Sequence, residues 1–250
     1  MIDSYSHCGT EKFEPLEQVL EAMDGAGVDR AVLVQHLGQF DNSYIEGVVA
    51  SDPDRFIGVG LVDVASPNWK SDLKKLSDSK SFCGVRFPAD ALEENPEAPL
   101  VAAELGLNLV LYFADGLSGK LRDLRDLVCS VGGRTVVVTH LGCPQIDREG
   151  NINSENVLAL AEYENVVVTL SGQGMFCAYP HLLLLDFVRS VVEKFTANRV
   201  MWGSNFPVCG DRDAYALDLE LVSSDSLGFD QSQITQITES TARRVMFENR

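Results

Sequence analysis

Thr135-Val136-Val137-Val138-Thr139-His140 is the stretch that decides the fold. Three consecutive valines leave no polar alternation, which is what a strand covered on both faces requires. Seven further runs share this apolar, β-branched character: residues 1–5, 31–35, 56–62, 83–87, 108–113, 166–170 and 200–203. Amphipathic stretches lie between them. Residues 15–26 place Leu16, Val19, Leu20 and Met23 on one helical face, and residues 117–131 gather Leu121, Leu124, Leu127 and Val128. Residues 180–195 open with Pro180 at a first helical position, and residues 231–247 form a closing helix. Strand–helix alternation implies a parallel sheet. Eight such units in 250 residues predict a single (β/α)8 TIM barrel domain spanning 1–250, with a doubly wound sheet as the rival arrangement.

Composition narrows the function. The chain holds 20 Lys+Arg against 37 Asp+Glu, a net charge of −17, so no basic stripe is present to displace counterions from DNA or RNA. No run approaches the roughly 18 apolar residues of a membrane-spanning helix. Residues 1–4 lack the basic-then-apolar order of a signal peptide. The six cysteines (Cys8, Cys83, Cys129, Cys143, Cys177, Cys209) form no CxxC pair and are expected as free thiols in a reducing compartment. A cytoplasmic protein, monomer or homodimer, is the expectation.

In a barrel of this kind the chemistry gathers where strands end and βα loops begin. The polar residues expected there are Tyr5, His7 and Cys8; His36 and Asn42; Asp63; Arg86; Tyr112 and Asp115; His140; Ser171; and Ser204 with Asn205. The chain has four histidines, and three fall in this ring. Imidazole is the side chain suited to proton transfer near neutral pH and a common metal ligand. The fourth, His181, is expected exposed at a helix start. Arg86 lies inside an apolar strand and needs a carboxylate from the protein or from a substrate, which a guanidinium can grip in bidentate fashion. Tyr5 and Tyr112 can donate to a carbonyl becoming an oxyanion. Trp202 and residues 182–185 are expected in the core, and loops 88–99 and 172–179 shape the pocket.

These residues carry a resemblance. Met1-Ile2-Asp3-Ser4-Tyr5-Ser6-His7 is similar to the opening strand of the amidohydrolase-related family, Ile-Asp-x-His-x-His. Val34-Gln35 leading to Asp41-Asn42-Ser43-Tyr44 resembles its second-strand loop, and Asp52-Pro53-Asp54-Arg55-Phe56 the approach to its third strand. Gly84-Val85-Arg86 resembles the fourth strand, Thr139-His140-Leu141-Gly142-Cys143-Pro144 its Asp-His-Leu-Gly-x-Pro, and Leu170-Ser171-Gly172 its Lys-Leu-Ser-Gly. Trp202-Gly203-Ser204-Asn205-Phe206-Pro207 resembles Trp-Gly-Ser-Asp-Trp-Pro of strand eight. The branch it most resembles is the sugar-lactone and dicarboxylate-lactone hydrolases. Four departures stand out. Tyr5 replaces the first histidine, Asn205 the strand-eight aspartate, Thr169 a lysine and Thr139 an aspartate.

In metal-using members, the resemblance implies, the strand-one pair, the strand-six histidine and the strand-eight aspartate surround the ion. Here only His7 and His140 remain as good ligands. Tyrosine must lose a proton of pKa about 10 to bind metal, and an amide cannot take a proton. No essential metal is therefore expected; a divalent ion such as zinc, if bound, would sit between His7 and His140. The implied activity is hydrolysis of a small carboxylated lactone or related ester. In that reading His140, His7, His36, Tyr5 and Asn205 are the catalytic candidates, and Arg86, Tyr112, Asn42 and Ser171 contact a small carboxylate substrate. Isomerisation, elimination or decarboxylation of a small acid, or a non-catalytic ligand-binding role, are the alternatives.

Overall fold

A computed structural model describes residues 1–153 and 155–248. Its strands are β1 (Ile2–Ser6), β2 (Arg30–Val34), β3 (Phe56–Leu61), β4 (Phe82–Pro88), β5 (Asn108–Tyr112), β6 (Val136–Val138), β7 (Val166–Leu170) and β8 (Val200–Trp202). Each pairs in parallel with the next in chain order, which makes the (β/α)8 barrel. The helices are α1 (Leu16–Ala26), α2 (Ser43–Ser51), α3 (Trp69–Asp78), α4 (Ala89–Glu94), α5 (Ala98–Glu104), α6 (Leu121–Ser130), α7 (Glu155–Leu158), α8 (Leu185–Phe195), α9 (Arg212–Val222) and α10 (Gln231–Thr235). None of them is long and apolar enough to cross a membrane.

The period of two along each strand sorts residues between two apolar clusters. Val136, Val138, Val166, Val168, Leu109 and Leu111 join the cluster that packs against the helices. Ile2, Tyr5, Val32, Ile57, Val59, Val110, Val137, Val167 and Met201 form a second, inside the barrel. Continuing the inward alternation upward from Val110, Val137, Val167 and Met201 gives Tyr112, Thr139, Thr169 with Ser171, and Gly203 with Asn205. The apolar interior thus ends in a polar layer at the C-terminal mouth.

The floor is closed by the end of the chain. After α10 the helix continues through π-helical turns, Gln236–Ser240 and Arg243–Glu248, where a single α-helix is predicted over 231–247. Val245, Met246 and Phe247 join the interior cluster, and the Asn108 amide donates to the Val245 carbonyl at 2.9 Å.

The seam between β8 and β1 carries no strand-to-strand ladder. It is stitched by three groups. Asn205 N–H donates to Tyr5 O (2.8 Å) and His7 N–H to Phe206 O (2.9 Å). The third is the Asp3 carboxylate, which is fully buried and accepts from Ser204 N–H (2.9 Å), Ser204 O–H (2.6 Å) and Tyr5 N–H (3.0 Å). Taking the Tyr5 N–H out of the ladder coincides with the register shift in β1, which turns Tyr5 inward. Gly203 is required here, because a Cβ would meet Tyr5 Cβ at 2.8 Å.

Burial raises the Asp3 pKa to about 6 against the pull of its Ser204 bonds. A pKa raised by folding adds stability that is full below about pH 4 and lost as pH rises through about 6. Asp3→Ala leaves three buried donors without an acceptor. The expected loss is about 2–4 kcal/mol, or roughly 5–15 °C in Tm for a chain of this size. The gap to wild type, read by calorimetry, should be widest at low pH. An unchanged Tm would mean that the seam does not need the carboxylate.

Two sequence expectations fail at the start of α8. Residues 182–185 are not all core: Leu182 is 70% and Leu183 51% exposed, on a 3-10 turn that precedes the helix. His181, expected exposed, is buried, and its Nε2 lies 2.8 Å from buried Asp218. Its Nδ1 meets the Cys177 carbonyl at 2.8 Å. Burial disfavours its charge, but the Asp218 hydrogen bond and charge outweigh this and raise the pKa. The segment 88–99, read as a loop, contains α4.

Candidate active site

The polar layer converges on His140. The edge of the Tyr5 ring meets it at 4.7 Å between centroids and that of Tyr112 at 5.6 Å. Tyr5 also meets His7 at 5.2 Å. The Arg86 guanidinium carbon lies 4.9 Å from the Tyr112 ring centre and 5.8 Å from that of Tyr5. Five of the predicted residues therefore form one constellation, four of them buried and Tyr112 half-buried, from β1 and the residue after it, β4, β5 and the end of β6. Asn205 joins its edge at the end of β8.

Arg86 is the group least accounted for by the fold. It is 5% exposed, and among the described residues no carboxylate pairs with it. Of its five N–H groups, one donates to the Gln35 carbonyl at 3.1 Å, and Nε has no partner. A buried guanidinium lacking its anion is costly unless a ligand supplies one. The Tyr5 hydroxyl beside it is likewise buried and unpartnered.

Burial, with the field of Arg86 second to it, sets the titration of the site. Burial first, and Arg86 second, hold His7 well below its ordinary pKa and His140 at about 3. Burial pushes Tyr5 up to about 12 although Arg86 works the other way. At neutral pH the centre therefore holds one fixed positive charge, two neutral imidazoles and a neutral phenol.

Local backbone geometry aims these groups. His140 and Asn205 both sit in the left-handed region, at φ 53° and 54°, a strained setting that clusters at functional sites. Gly172 (φ 69°) lets the imidazole lie against the chain, because a Cβ there would meet Nδ1 at 2.8 Å. His7 is fixed by Nδ1 to the Val34 carbonyl (2.6 Å) and by Phe13 stacked on its ring at 4.7 Å.

The other candidates have partners of their own. His36 is half-buried and meets Phe13 in a T-shaped contact at 5.3 Å between ring centres. Asn42 spends its amide on both backbone groups of Leu61 and on the Phe40 carbonyl, so it ties the β2 loop to β3. Ser171 is fully buried and turns its hydroxyl to His140 Nδ1 (2.8 Å) and Thr169 Oγ1 (2.7 Å). The Asn205 amide points to Met175 Sδ (3.3 Å) and Cys209 Sγ (3.4 Å). Phe13 was not foreseen; it lies in a loop with no periodicity to mark it. Thr169 was visible only as a departure from a motif.

A cleft of about 650 Å³ opens over the ends of β3 to β5, and Tyr112 forms part of its wall. Asp63, Asp90, Glu93, Glu94 and Asp115 line it with Lys120, which pairs with Glu93. Tyr112 is the member of the constellation that borders this acidic cleft.

His7 and His140 are the good metal donors that the centre offers. Among the described residues no group of three or more His, Cys, Asp or Glu is placed to hold a metal. Tyr5 keeps its proton, and the Asn205 amide faces two sulfurs.

The architecture has known counterparts. An L-fucono-1,5-lactonase of Burkholderia ambifaria is 28% identical over 215 residues, 82% of this chain and 71% of that protein. A Pseudomonas putida protein assigned as a 2-pyrone-4,6-dicarboxylic acid hydrolase superposes with TM-score 0.79 at 20% identity, covering 98% of this chain and 96% of that one. A Burkholderia multivorans amidohydrolase with bound zinc gives 0.77 at 18% identity, covering 98% of each chain. The sequence profile described as amidohydrolase matches residues 3–247. The chain therefore belongs to the amidohydrolase family.

Proposed function

We propose that this protein hydrolyses a small lactone bearing a single carboxylate and needs no essential metal. The observation that carries the reading is Arg86, buried with most of its donors unspent beside the unpartnered Tyr5 hydroxyl. A substrate carboxylate would satisfy the guanidinium, and Tyr5 with Tyr112 would donate to the lactone carbonyl as it becomes an oxyanion. An imidazole, His7 or His140, would take the proton of the attacking water in place of the family's aspartate. One guanidinium, 4.9 Å from the Tyr112 ring that borders an acidic cleft, suits one carboxylate better than two.

The test is a panel of lactones with no carboxylate, one or two, assayed with chelator-treated enzyme. Turnover confined to the monocarboxylates supports the reading. Preference for polyhydroxylated lactones without a carboxylate would remove Arg86 from its role, and dependence on added zinc would remove the metal-free step. Because the cleft is acidic, kcat/KM for an anionic lactone should rise roughly two- to fivefold as ionic strength goes from about 10 to about 150 mM.

A second reading, isomerisation or decarboxylation of a small acid, draws on Asn205, which supplies no carboxylate to activate water. Product formed in ¹⁸O-labelled water separates the two, since hydrolysis incorporates the label and isomerisation does not.

A further inference from the structure

We infer that the fold locks the two central imidazoles in opposite tautomers: His7 carries a bare Nε2, and His140 carries an Nε2–H. His7 would be the proton acceptor and His140 the hydrogen-bond donor, with Thr169 and Ser171 as the residues that position the His140 proton.

His7 Nδ1 meets a carbonyl, Val34 O, at 2.6 Å. A carbonyl only accepts, so Nδ1 carries the proton and Nε2 keeps its lone pair.

His140 Nδ1 meets a hydroxyl, which could donate or accept, so its partners decide. Thr169 Oγ1 already accepts the backbone N–H of His140 at 2.9 Å. Its own proton has one acceptor among the described residues, Ser171 Oγ at 2.7 Å. With Thr169 donating to Ser171, the Ser171 proton goes to His140 Nδ1 at 2.8 Å. Every proton in the chain is then placed, and the ring hydrogen falls on Nε2. The reverse order, Nδ1–H to Ser171 and Ser171 to Thr169, strands the Thr169 hydroxyl proton in a site with no exposure.

The Ser171 carbonyl also faces the ring and favours a proton on Nδ1. It makes no well-aligned bond there, whereas a stranded buried donor shifts the balance by roughly tenfold or more. The Nδ1 edge is pressed on Gly172, so the opposite edge faces Tyr5, Tyr112 and Arg86.

In chemical terms, which rest on the lactonase reading, water oxygen bonds to the carbonyl carbon and gives its proton to His7 Nε2. The carbonyl π pair moves to oxygen, which accepts from His140 Nε2–H. On collapse the ring C–O bond breaks, and the proton on His7 passes to the departing alkoxide.

The test needs no substrate. Long-range proton–nitrogen correlation spectra of ¹⁵N-histidine protein at neutral pH distinguish protonated from bare ring nitrogens. Assignment uses His7→Gln and His140→Gln. A bare Nε2 on His7 and a bare Nδ1 on His140 are expected, and a protonated Nδ1 on His140 or a bare Nδ1 on His7 would overturn the inference. Thr169→Val, which keeps shape but removes the donor, should shift His140 toward the Nδ1–H form, and Thr169→Ser should restore it. With an active lactone, Thr169→Val should lower kcat roughly tenfold at nearly constant KM. Wild-type tautomers left intact in Thr169→Val would remove the relay. If no lactone is turned over while the spectra agree, the lactonase reading alone fails.

Discussion

Replacing Arg86 by methionine is expected to make the protein more stable and far less active. In the free enzyme the guanidinium is out of water, with one backbone carbonyl and two aromatic faces in place of an anion. Cation–π contact returns about 0.5–2 kcal/mol, less than the several kcal/mol of desolvating an ion. Methionine fills a similar volume with no such penalty, so Tm should rise by a few degrees. Truncating one side of a buried charge pair weakens binding by about 2–5 kcal/mol, so kcat/KM for a monocarboxylate lactone should fall roughly 30- to 5,000-fold. A neutral lactone of the same size should be far less affected. Opposite signs in stability and activity are the signature of a group retained for its ligand. A lower Tm with unchanged turnover would assign Arg86 to the scaffold.

His7→Asn should reduce kcat by roughly 10²- to 10⁴-fold, the range for losing a positioned base, with a smaller change in KM. The pH profile gives an independent reading. Both imidazoles are depressed, chiefly by burial and then by Arg86, so both are neutral at pH 7. The rate should therefore hold steady as pH falls from 8 to 5, with no inflection at an ordinary histidine pKa of about 6.5. In Arg86→Met one cause of the depression is gone, and the acidic limb should move up. A wild-type inflection near 6.5 would place the working base outside this constellation. The same depression makes the fold acid-sensitive. The folded pKa lies below the unfolded one, so this contribution to stability is full above about pH 6.5 and is lost as pH falls toward the folded values.

Much of this was legible in the sequence, and for a definable reason. Strands buried on both faces are continuous apolar runs, so all eight could be placed to within a few residues. Once a strand is placed, its end is known, and barrel geometry brings the ends together. That is why His7, Tyr5, Arg86, Tyr112, His140 and Asn205 could be gathered before any distance was known.

What failed depends on pairings distant in the chain. His181 looked like an exposed helix start because its partner, Asp218, lies 37 residues on. For Asn42 and Ser171, expected as substrate contacts, nothing local shows that each also bonds to a distant residue, Leu61 and His140. Leu182 and Leu183 are apolar yet face outward, since a 3-10 turn precedes the helix and breaks the expected face.

The seam at Asp3 carries a consequence for biosynthesis. Its partner Ser204 follows 201 residues later, and the floor residues come later still. At about 5–20 residues per second, a ribosome takes roughly 10–40 seconds to deliver the second half of that bond. Throughout that interval the first strand has no neighbour on one side, and its inward face has nothing beneath it. Nascent chains of this protein should therefore be chaperone clients for most of translation.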